Sequence, residues 1–305
     1  MDVTAAVVRS ALNGTSLVSK RLAGKGALRL FRLPRGRSRI RTGERTVMAR
    51  ALVRTIDAGG RPVKVYQWGD GRRPVLLVHG WESRGSRLSA FVDALLDRGY
   101  SPLAFDAPGH GDSEGSTTTV LEFRDILAEL HAEYGDFEAV IAHSLGVVGV
   151  FLALRGSVRA GRIATIGGVA DFGLVVDAFC AALRLRAPLE RELRRRIERE
   201  MFPGEADIWA RFSVVHRPEE VALPILVVHD EDDDTVSPDQ GRQIVAAYGD
   251  RARLVSTRGL GHRRILVAPA VVAEVLDFVT ARTAGEAGGE RHGEPDGLAA
   301  EVAMR

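Results

Sequence analysis

Cysteine is almost absent from this 305-residue chain, which contains only Cys180. A single thiol cannot form an internal disulfide, and it provides no cysteine cluster for zinc or an iron–sulfur centre. Cys180 has no activating neighbour in the sequence, which favours a small buried apolar side chain over a reactive one. The scarcity of cysteine fits a reducing compartment, and we expect a cytoplasmic protein.

Long apolar stretches are absent as well. The longest clear one covers residues 147–154, far short of the roughly 18 apolar residues of a membrane-spanning helix. Near the N-terminus, Arg9 and Asn13 interrupt the apolar sequence before it reaches the length of a signal peptide. Because hydrophobic residues make up 45% and charged residues 27% of the chain, we expect a globular protein without an integral membrane segment.

Acidic residues are scarce in one region only. Residues 1–50 contain 12 Lys and Arg against 2 Asp and Glu, a net charge of +10, whereas residues 51–305 contain 30 against 38 and carry −8. No nucleic-acid motif accompanies this basic leader. We predict a solvated basic arm or helical leader, whose apolar stretch at 28–33 ends at Pro34 and packs against the rest of the chain. Association with membrane surfaces is expected to be weak at most, and no nucleic-acid partner is expected.

From about residue 63 onward, short β-branched runs alternate with amphipathic stretches. This alternation predicts strands joined by crossover helices. Runs such as 75–78 and 225–228 are apolar at every position, as in strands covered on both faces, so we predict an α/β fold with a mainly parallel, doubly wound sheet. The predicted strands are 63–68, 74–78, 101–105, 139–143, 163–166, 225–228 and 253–256, and the predicted helices are 88–98, 120–134, 145–155, 239–248 and 270–282.

The alternation is interrupted at about residues 171–218, where a charged stretch replaces the strand patterns. We predict a helical lid insertion over the edge of the sheet. Its large apolar side chains either line a substrate pocket or dock the insertion on the domain, and the sequence leaves both open. These side chains are Met201, Phe202, Trp209 and Phe212.

The sequence thus divides into three parts. The last part is rich in Gly, Ala and Glu and lacks periodicity, so we expect it to be disordered. The parts are a basic leader at residues 1–50, an α/β domain at 51–282 and a tail at 283–305.

A serine follows the predicted strand at residues 139–143 and precedes an apolar helical stretch. In the Ala-His-Ser-Leu-Gly sequence at 142–146, small residues flank Ser144 at this strand-to-helix turn. Such a turn holds the serine outward at the carboxyl end of the strand, and the small residues let strand and helix approach closely. The adjacent helix N-terminus favours developing negative charge. A serine that merely caps the helix is the alternative. Whether Ser144 is a nucleophile therefore depends on whether a base and a carboxylate accompany it.

A candidate histidine base and a candidate carboxylate follow Ser144 in the sequence. A serine nucleophile needs a base, and the base needs a carboxylate that fixes its tautomer. His262 lies in a Gly-Leu-Gly-His turn after the predicted strand 253–256, and an acidic cluster at 230–234 follows strand 225–228. Because ligands bind at the carboxyl ends of strands in open α/β sheets, we expect serine, histidine and a carboxylate to converge there.

Taken together, these motifs resemble those of the α/β-hydrolase family over about residues 63–280. They occur in the order that the family has, and the combination is highly specific. The motifs are His79-Gly80-Trp81, then Asp106-Ala107-Pro108-Gly109-His110-Gly111-Asp112-Ser113, the serine turn, the acidic turn and Gly261-His262. The resemblance implies the α/β-hydrolase fold and a serine esterase or lipase.

Matching residue by residue, the resemblance assigns Ser144 as the nucleophile and His262 as the base. It implies that the backbone N–H groups of Trp81 and Leu145 form the oxyanion hole. The Trp81 indole is then expected to shape the mouth of the substrate pocket. In the serine turn, Ala142 replaces the family's usual first glycine, which leaves the turn small enough for the same geometry.

The acid is implied by the family's His-Gly-x-x-Asp-x-x-Val-Pro turn. Asp233 is the matching carboxylate, and Asp232 is the alternative. The other matching positions are His229, Val236 and Pro238, with Asp230 in place of the glycine and Ser237 inserted.

The resemblance also implies hydrolysis of a small-molecule carboxylic ester or thioester through an acyl-enzyme, without a cofactor. An acyltransferase with the same triad and a non-catalytic binding module with this fold are the alternatives. No metal is expected, because no His-Glu-x-x-His or His-x-His pair is present and Thr235 stands where a calcium loop at 230–234 would require glycine. The oligomeric state is left open.

Overall fold

One eight-stranded sheet organises the computed structural model, which describes residues 3–34 and 36–281. The strands are β1 Leu52–Ala58, β2 Arg61–Gln67, β3 Pro74–Val78, β4 Ser101–Asp106, β5 Ala139–His143, β6 Ile163–Ile166, β7 Ile225–Asp230 and β8 Ala252–Thr257. Their order across the sheet is β1-β2-β4-β3-β5-β6-β7-β8. The β1·β2 and β2·β4 pairs are antiparallel, and the other neighbours are parallel. The tail predicted to be disordered, 283–305, lies outside the described residues.

Helices precede the sheet and connect its strands. They are α1 Val3–Val18, α2 Lys20–Arg32, α3 Arg45–Ala49, α4 Val92–Asp97, α5 Val120–Tyr134, α6 Gly146–Leu154, α7 Phe172–Ala182, α8 Ala187–Arg196, α9 Ile208–Arg211, α10 Asp239–Tyr248, α11 Gly261–Arg264 and α12 Pro269–Thr280.

The central strands are buried on both faces. In β3, Leu76 and Val78 belong to one apolar layer, and Val75 and Leu77 belong to the other. Helices α5, α6 and α10 contribute to the first layer, while α4 and α12 contribute to the second. Because residues alternate along a strand, covering both faces requires apolar residues at consecutive positions, which is the pattern that the sequence shows. The predicted mainly parallel, doubly wound sheet is therefore confirmed.

Strand β1 and the helix predicted at 88–98 show how the structure differs from the sequence prediction. Strand β1 was not predicted, because it lies at the sheet edge with Leu52 and Val53 largely exposed, and it therefore lacks a buried apolar pattern. The predicted helix at 88–98 is α-helical only in α4, and the preceding Gly85–Phe91 forms a 3₁₀ helix.

The segment predicted as an insertion contains α7, α8, a π-helical turn at Ile197–Met201 and α9. Phe202 and Phe212 are 1% and 0% exposed, and their ring centroids lie 4.7 Å apart. Both rings pack edge-on against Phe172, with centroids 5.9 and 5.8 Å away. Met201 and Trp209 are half-buried against the same core layer. This packing supports the docking alternative, and a substrate-pocket role for these side chains stays a prediction.

We expect Trp209→Ala to lower the stability of the protein without changing acyl-chain preference. The indole stacks on Phe172, lies under the Arg194 guanidinium and donates a hydrogen bond to Glu198, so its loss removes packing inside the insertion. Because the ring is only half-buried, the expected loss is about 2 kcal/mol, below that of a fully buried aromatic. Urea unfolding and kinetics on acyl esters of graded length measure the two effects. Leu174→Ala, at an exposed position of α7, is the control; a shifted preference with intact stability would restore the pocket interpretation.

The basic leader is not a free arm. Helices α1 and α2 form a hairpin, and α2 packs on α8 with Ala23 and Ala27 buried. A Cβ atom built on Gly24 would lie 2.4 Å from the Glu192 Cγ atom, so a larger residue at position 24 would force the Glu192 side chain to move. Beyond the hairpin, Glu44 forms an ion pair with Arg87. For the described part of the leader, this packing supports the helical-leader alternative over a solvated arm.

Candidate active site

Ser144 lies at a strained turn between β5 and α6. Its φ angle is +56°, in the left-handed region that costs a non-glycine residue free energy. The Ser144 N–H donates to the Ile166 carbonyl, and the Ser144 carbonyl accepts from Val147 and Val169. Gly146 is required beside it, because a Cβ atom there would lie 2.4 Å from the His79 carbonyl oxygen. The turn therefore holds the hydroxyl at the carboxyl end of the sheet.

The histidine and the carboxylate predicted from the sequence lie next to this hydroxyl. The His262 Nε2 atom is 3.0 Å from the Ser144 Oγ atom, and the His262 Nδ1 atom is 2.7 Å from the Asp233 Oδ2 atom. All three residues are 8% exposed. They lie in the segments that follow the carboxyl ends of β5, β7 and β8, with His262 in the short helix α11. The distance between the Ser144 Oγ atom and the His262 Nε2 atom allows the hydroxyl proton to pass to the imidazole.

Asp233 accepts hydrogen bonds on both carboxylate oxygens. The Oδ1 atom accepts from the Thr235 and Val236 N–H groups at 2.9 Å each, and the Oδ2 atom faces His262. Burial alone would raise the pKa of Asp233, but hydrogen bonds from His229 and His262 outweigh it and hold that pKa well below its usual value. The carboxylate is therefore ionised at neutral pH.

The alternative carboxylate, Asp232, is exposed and points elsewhere. Its Oδ2 atom accepts a hydrogen bond from the Gly259 N–H at 2.9 Å. It contributes to the turn before His262 without contacting the imidazole.

A second histidine lies behind the first. The His143 Nε2 atom donates to the His262 carbonyl at 3.0 Å, and the two ring centroids are 4.6 Å apart. Burial, followed by repulsion from His262, lowers the pKa of His143 to about 3. His143 is therefore neutral at every pH near neutrality and adds no competing charge when His262 accepts a proton.

Asp230 anchors the loop that carries His262, a role that sequence reasoning missed. Its carboxylate is fully buried and accepts from the Thr257 hydroxyl at 2.6 Å and from the Leu260 and Gly261 N–H groups at 3.1 and 3.0 Å. Burial opposes ionisation, but these hydrogen bonds lower the pKa of Asp230. The only sequence signal was a carboxylate at the position where the family turn has glycine.

Asp230→Asn is expected to destabilise the protein by about 2 kcal/mol, because the new amide N–H₂ must face N–H donors. The wild-type carboxylate has a depressed folded pKa, so its stabilisation is present above the unfolded pKa of about 3.9 and is lost as the pH falls through the folded value. The stability gap between wild type and variant should therefore be constant above about pH 4 and narrow below it. Urea unfolding across this range measures the gap, with the exposed Asp234→Asn as control. A gap that widens in acid would contradict this account.

Two backbone N–H groups near the serine have no acceptor among the described residues. Within residues 3–34 and 36–281, neither the Trp81 nor the Leu145 N–H donates a hydrogen bond to the protein. Leu145 precedes the first turn of α6, so its N–H lies at the positive end of that helix. A Cβ atom on Gly80 would lie 2.6 Å from the Ser144 Cβ atom, which shows how closely the Trp81 loop approaches the hydroxyl. The free N–H groups are suited to bind an oxyanion.

Other buried histidines organise the neighbouring loops. The His79 Nε2 atom accepts from the Ala107 N–H at 2.9 Å, and the His110 Nε2 atom accepts from the Glu82 N–H at 3.1 Å. The His110 ring also packs edge-on against Trp81, with centroids 5.3 Å apart. Burial lowers the pKa of both histidines, so they are neutral acceptors that position the Trp81 loop.

An open cavity of about 440 Å³ reaches the site from the side of His262. Its lining is polar and includes Asp232, Asp234 and residues 259–264. None of the apolar insertion side chains predicted to line a pocket lies on it. In the part of the chain that the structure describes, no three His, Cys, Asp or Glu side chains are grouped to hold a metal ion.

The chain is similar in sequence to known proteins. The model of the alpha/beta hydrolase family matches residues 75–275. A non-heme haloperoxidase from Rhodococcus erythropolis is 24% identical over 265 residues, covering 72% of this chain and 96% of that protein. A non-heme chloroperoxidase from Kitasatospora aureofaciens is 34% identical over 85 residues, 26% of this chain, and the chain spans only 30% of its length.

Among solved structures, an esterase from Pyrococcus furiosus superposes with a TM-score of 0.59. The sequences are 17% identical, and the match covers 81% of this chain and 97% of the esterase. At this identity the likeness concerns the fold, which the two chains share.

Proposed function

The chain belongs to the alpha/beta hydrolase family, as its motifs indicated, and on that premise we propose that it is a serine hydrolase of carboxylic esters or thioesters. The observation that carries the proposal is the continuous hydrogen-bonded series from Ser144 through His262 to Asp233. A buried helix cap would need neither the imidazole nor the ionised carboxylate behind it.

In the proposed first step, the Ser144 Oγ atom attacks the acyl carbonyl carbon while His262 Nε2 accepts the hydroxyl proton. Asp233 stabilises the resulting imidazolium and keeps the Nδ1 proton in place. The imidazolium then protonates the leaving alkoxide or thiolate as its bond to the acyl carbon breaks. An acyl-enzyme on Ser144 remains.

Negative charge develops on the substrate oxygen during this attack. The N–H groups of Trp81 and Leu145 are proposed to bind it, because both lie beside the serine without another acceptor. Removing one such donor typically costs on the order of 3 kcal/mol of transition-state stabilisation. A water molecule activated by His262 then attacks the acyl-enzyme and releases the acid.

Other acceptors of the acyl group are second candidates. The likeness to the Rhodococcus haloperoxidase favours hydrogen peroxide, whose attack on the acyl-enzyme would release a peracid and restore the serine hydroxyl. An alcohol acceptor would make the protein an acyltransferase. A binding module with an idle triad would perform none of these reactions.

A fluorophosphonate probe and a panel of chromogenic acyl esters of graded chain length test the proposal. We expect the probe to label the wild type and the panel to reveal at least one hydrolysed ester. Adding peroxide or alcohols and identifying the products separates water from the other acceptors. A folded protein that neither reacts with the probe nor turns over any ester would refute the proposed hydrolase.

A further inference from the structure

Helix α1 turns an uncharged and largely apolar face outward. Val7, Leu17 and Val18 are 61%, 69% and 91% exposed, whereas Leu12, on the opposite face, is buried. The outward positions are Val7, Ser10, Ala11, Gly14, Leu17 and Val18, spaced so that they share one side of the helix. A surface helix of a globular protein normally presents its charged face to water. Helix α1 instead presents an uncharged face with exposed aliphatic side chains to water.

The hairpin that carries this face is rich in cations. Residues 3–32 of the hairpin contain six Lys and Arg and no Asp or Glu. On α2, Arg21, Lys25 and Arg29 are exposed beside Leu22, which is itself 61% exposed. The hairpin tip at residues 17–22 therefore combines three exposed aliphatic side chains with exposed Lys20 and Arg21.

The hairpin is held firmly while it presents this surface. The Asn13 side chain donates to the Arg184 carbonyl and accepts from the Arg186 N–H, both at 3.0 Å. The Arg196 guanidinium donates to the Arg21 carbonyl at 3.1 Å. The apolar face stays exposed although the opposite sides of both helices are already docked. No segment among residues 36–281 covers it in the structure.

We propose that this hairpin docks on anionic phospholipid surfaces, with the tip at residues 17–22 inserted among the headgroups. Aliphatic side chains next to Lys and Arg match the apolar boundary and the anionic headgroups of such a surface. A nucleic acid would engage the cations but leave the aliphatic tip in water. A second copy would bring another six positive charges against the first six, which disfavours that occupant. The proposal is independent of the proposed catalysis, because its test measures binding.

The experiment is flotation of the full chain with phosphatidylcholine vesicles, with or without about 30% phosphatidylglycerol. Wild type should bind only the anionic vesicles, and high salt should weaken binding. The tip variant Leu17→Gln/Val18→Gln/Leu22→Gln and the charge variant Lys25→Glu/Arg29→Glu should each reduce the partition coefficient about tenfold or more.

Matched controls change the same chemistry elsewhere. Leu52→Thr/Val53→Thr alters exposed apolar residues of β1, and Arg45→Glu/Arg72→Glu makes the same change in net charge outside the hairpin. Both controls should bind the anionic vesicles within about twofold of wild type. All substituted side chains are exposed, and circular dichroism verifies that each variant is folded.

Several results would overturn the proposal. If the wild type does not bind anionic vesicles at low salt, the proposal is wrong. A charge variant that loses binding while the tip variant retains it would reduce the surface to an electrostatic patch, and equal binding of an oligonucleotide would then identify a nucleic-acid surface. A dimer in sedimentation velocity that the tip variant dissociates would show that a second copy occupies the face.

Discussion

Ser144→Ala is expected to lower the hydrolysis rate on the best chromogenic ester by on the order of 10⁴-fold to 10⁶-fold. The substitution removes the only oxygen that lies 3.0 Å from His262 Nε2 in the proposed triad. Without it no acyl-enzyme forms, and the oxyanion donors alone supply the remaining acceleration. Labelling by the fluorophosphonate probe should disappear together with turnover.

The fold should tolerate this change. Alanine and serine bear a similar penalty at the φ angle of +56°, and the backbone hydrogen bonds of residue 144 do not involve the side chain. We therefore expect similar melting temperatures for variant and wild type. Ser157→Ala, at an exposed position, is the matched control and should retain full activity. Hydrolysis by Ser144→Ala at a rate near that of wild type would show that Ser144 is not the nucleophile.

The serine and its surroundings could be predicted because their signal is local. Strands β3, β5 and β6 were predicted with their observed bounds, since their complete burial goes with apolar residues at nearly every position. Ser144 follows directly from one of these strands. Its neighbours Ala142 and Gly146 show in the sequence that strand and helix approach closely there. The motif order then indicated the family without any knowledge of distances.

The remaining features depend on contacts between distant parts of the chain. Asp230 and Gly261 are 31 positions apart, so nothing near Asp230 in the sequence indicates that it holds the histidine loop. The hydrogen bond from Asn13 to Arg184 spans 171 positions, and it belongs to a hairpin that the charge pattern alone suggested was solvated. The sequence directed attention to residues 28–33 as the apolar part of the leader. In the structure Leu28 is buried, and the most exposed aliphatic residues of the leader include Leu17, Val18 and Leu22 at the tip.

Asp233→Asn is expected to lower kcat by about 10³-fold to 10⁴-fold. The Asp233 Oδ1 atom accepts from two backbone N–H groups, so the asparagine carbonyl oxygen must stay there and the amide N–H₂ must face His262. The imidazole then accepts at Nδ1 and carries its proton on Nε2. In that tautomer it donates to Ser144 and cannot take the hydroxyl proton.

The matched control for this prediction is Asp232→Asn, one position earlier in the same turn. Its asparagine keeps an oxygen that accepts from the Gly259 N–H, and neither residue contacts the imidazole, so kcat should stay within about threefold of wild type. Steady-state kinetics on one ester, with urea unfolding of both variants, separates lost catalysis from lost stability. A larger loss in kcat for Asp232→Asn than for Asp233→Asn would assign the acid to Asp232, and equal losses would contradict the assignment to Asp233. The two substitutions make the same change in charge, so a difference between them reports the position of the carboxylate relative to His262.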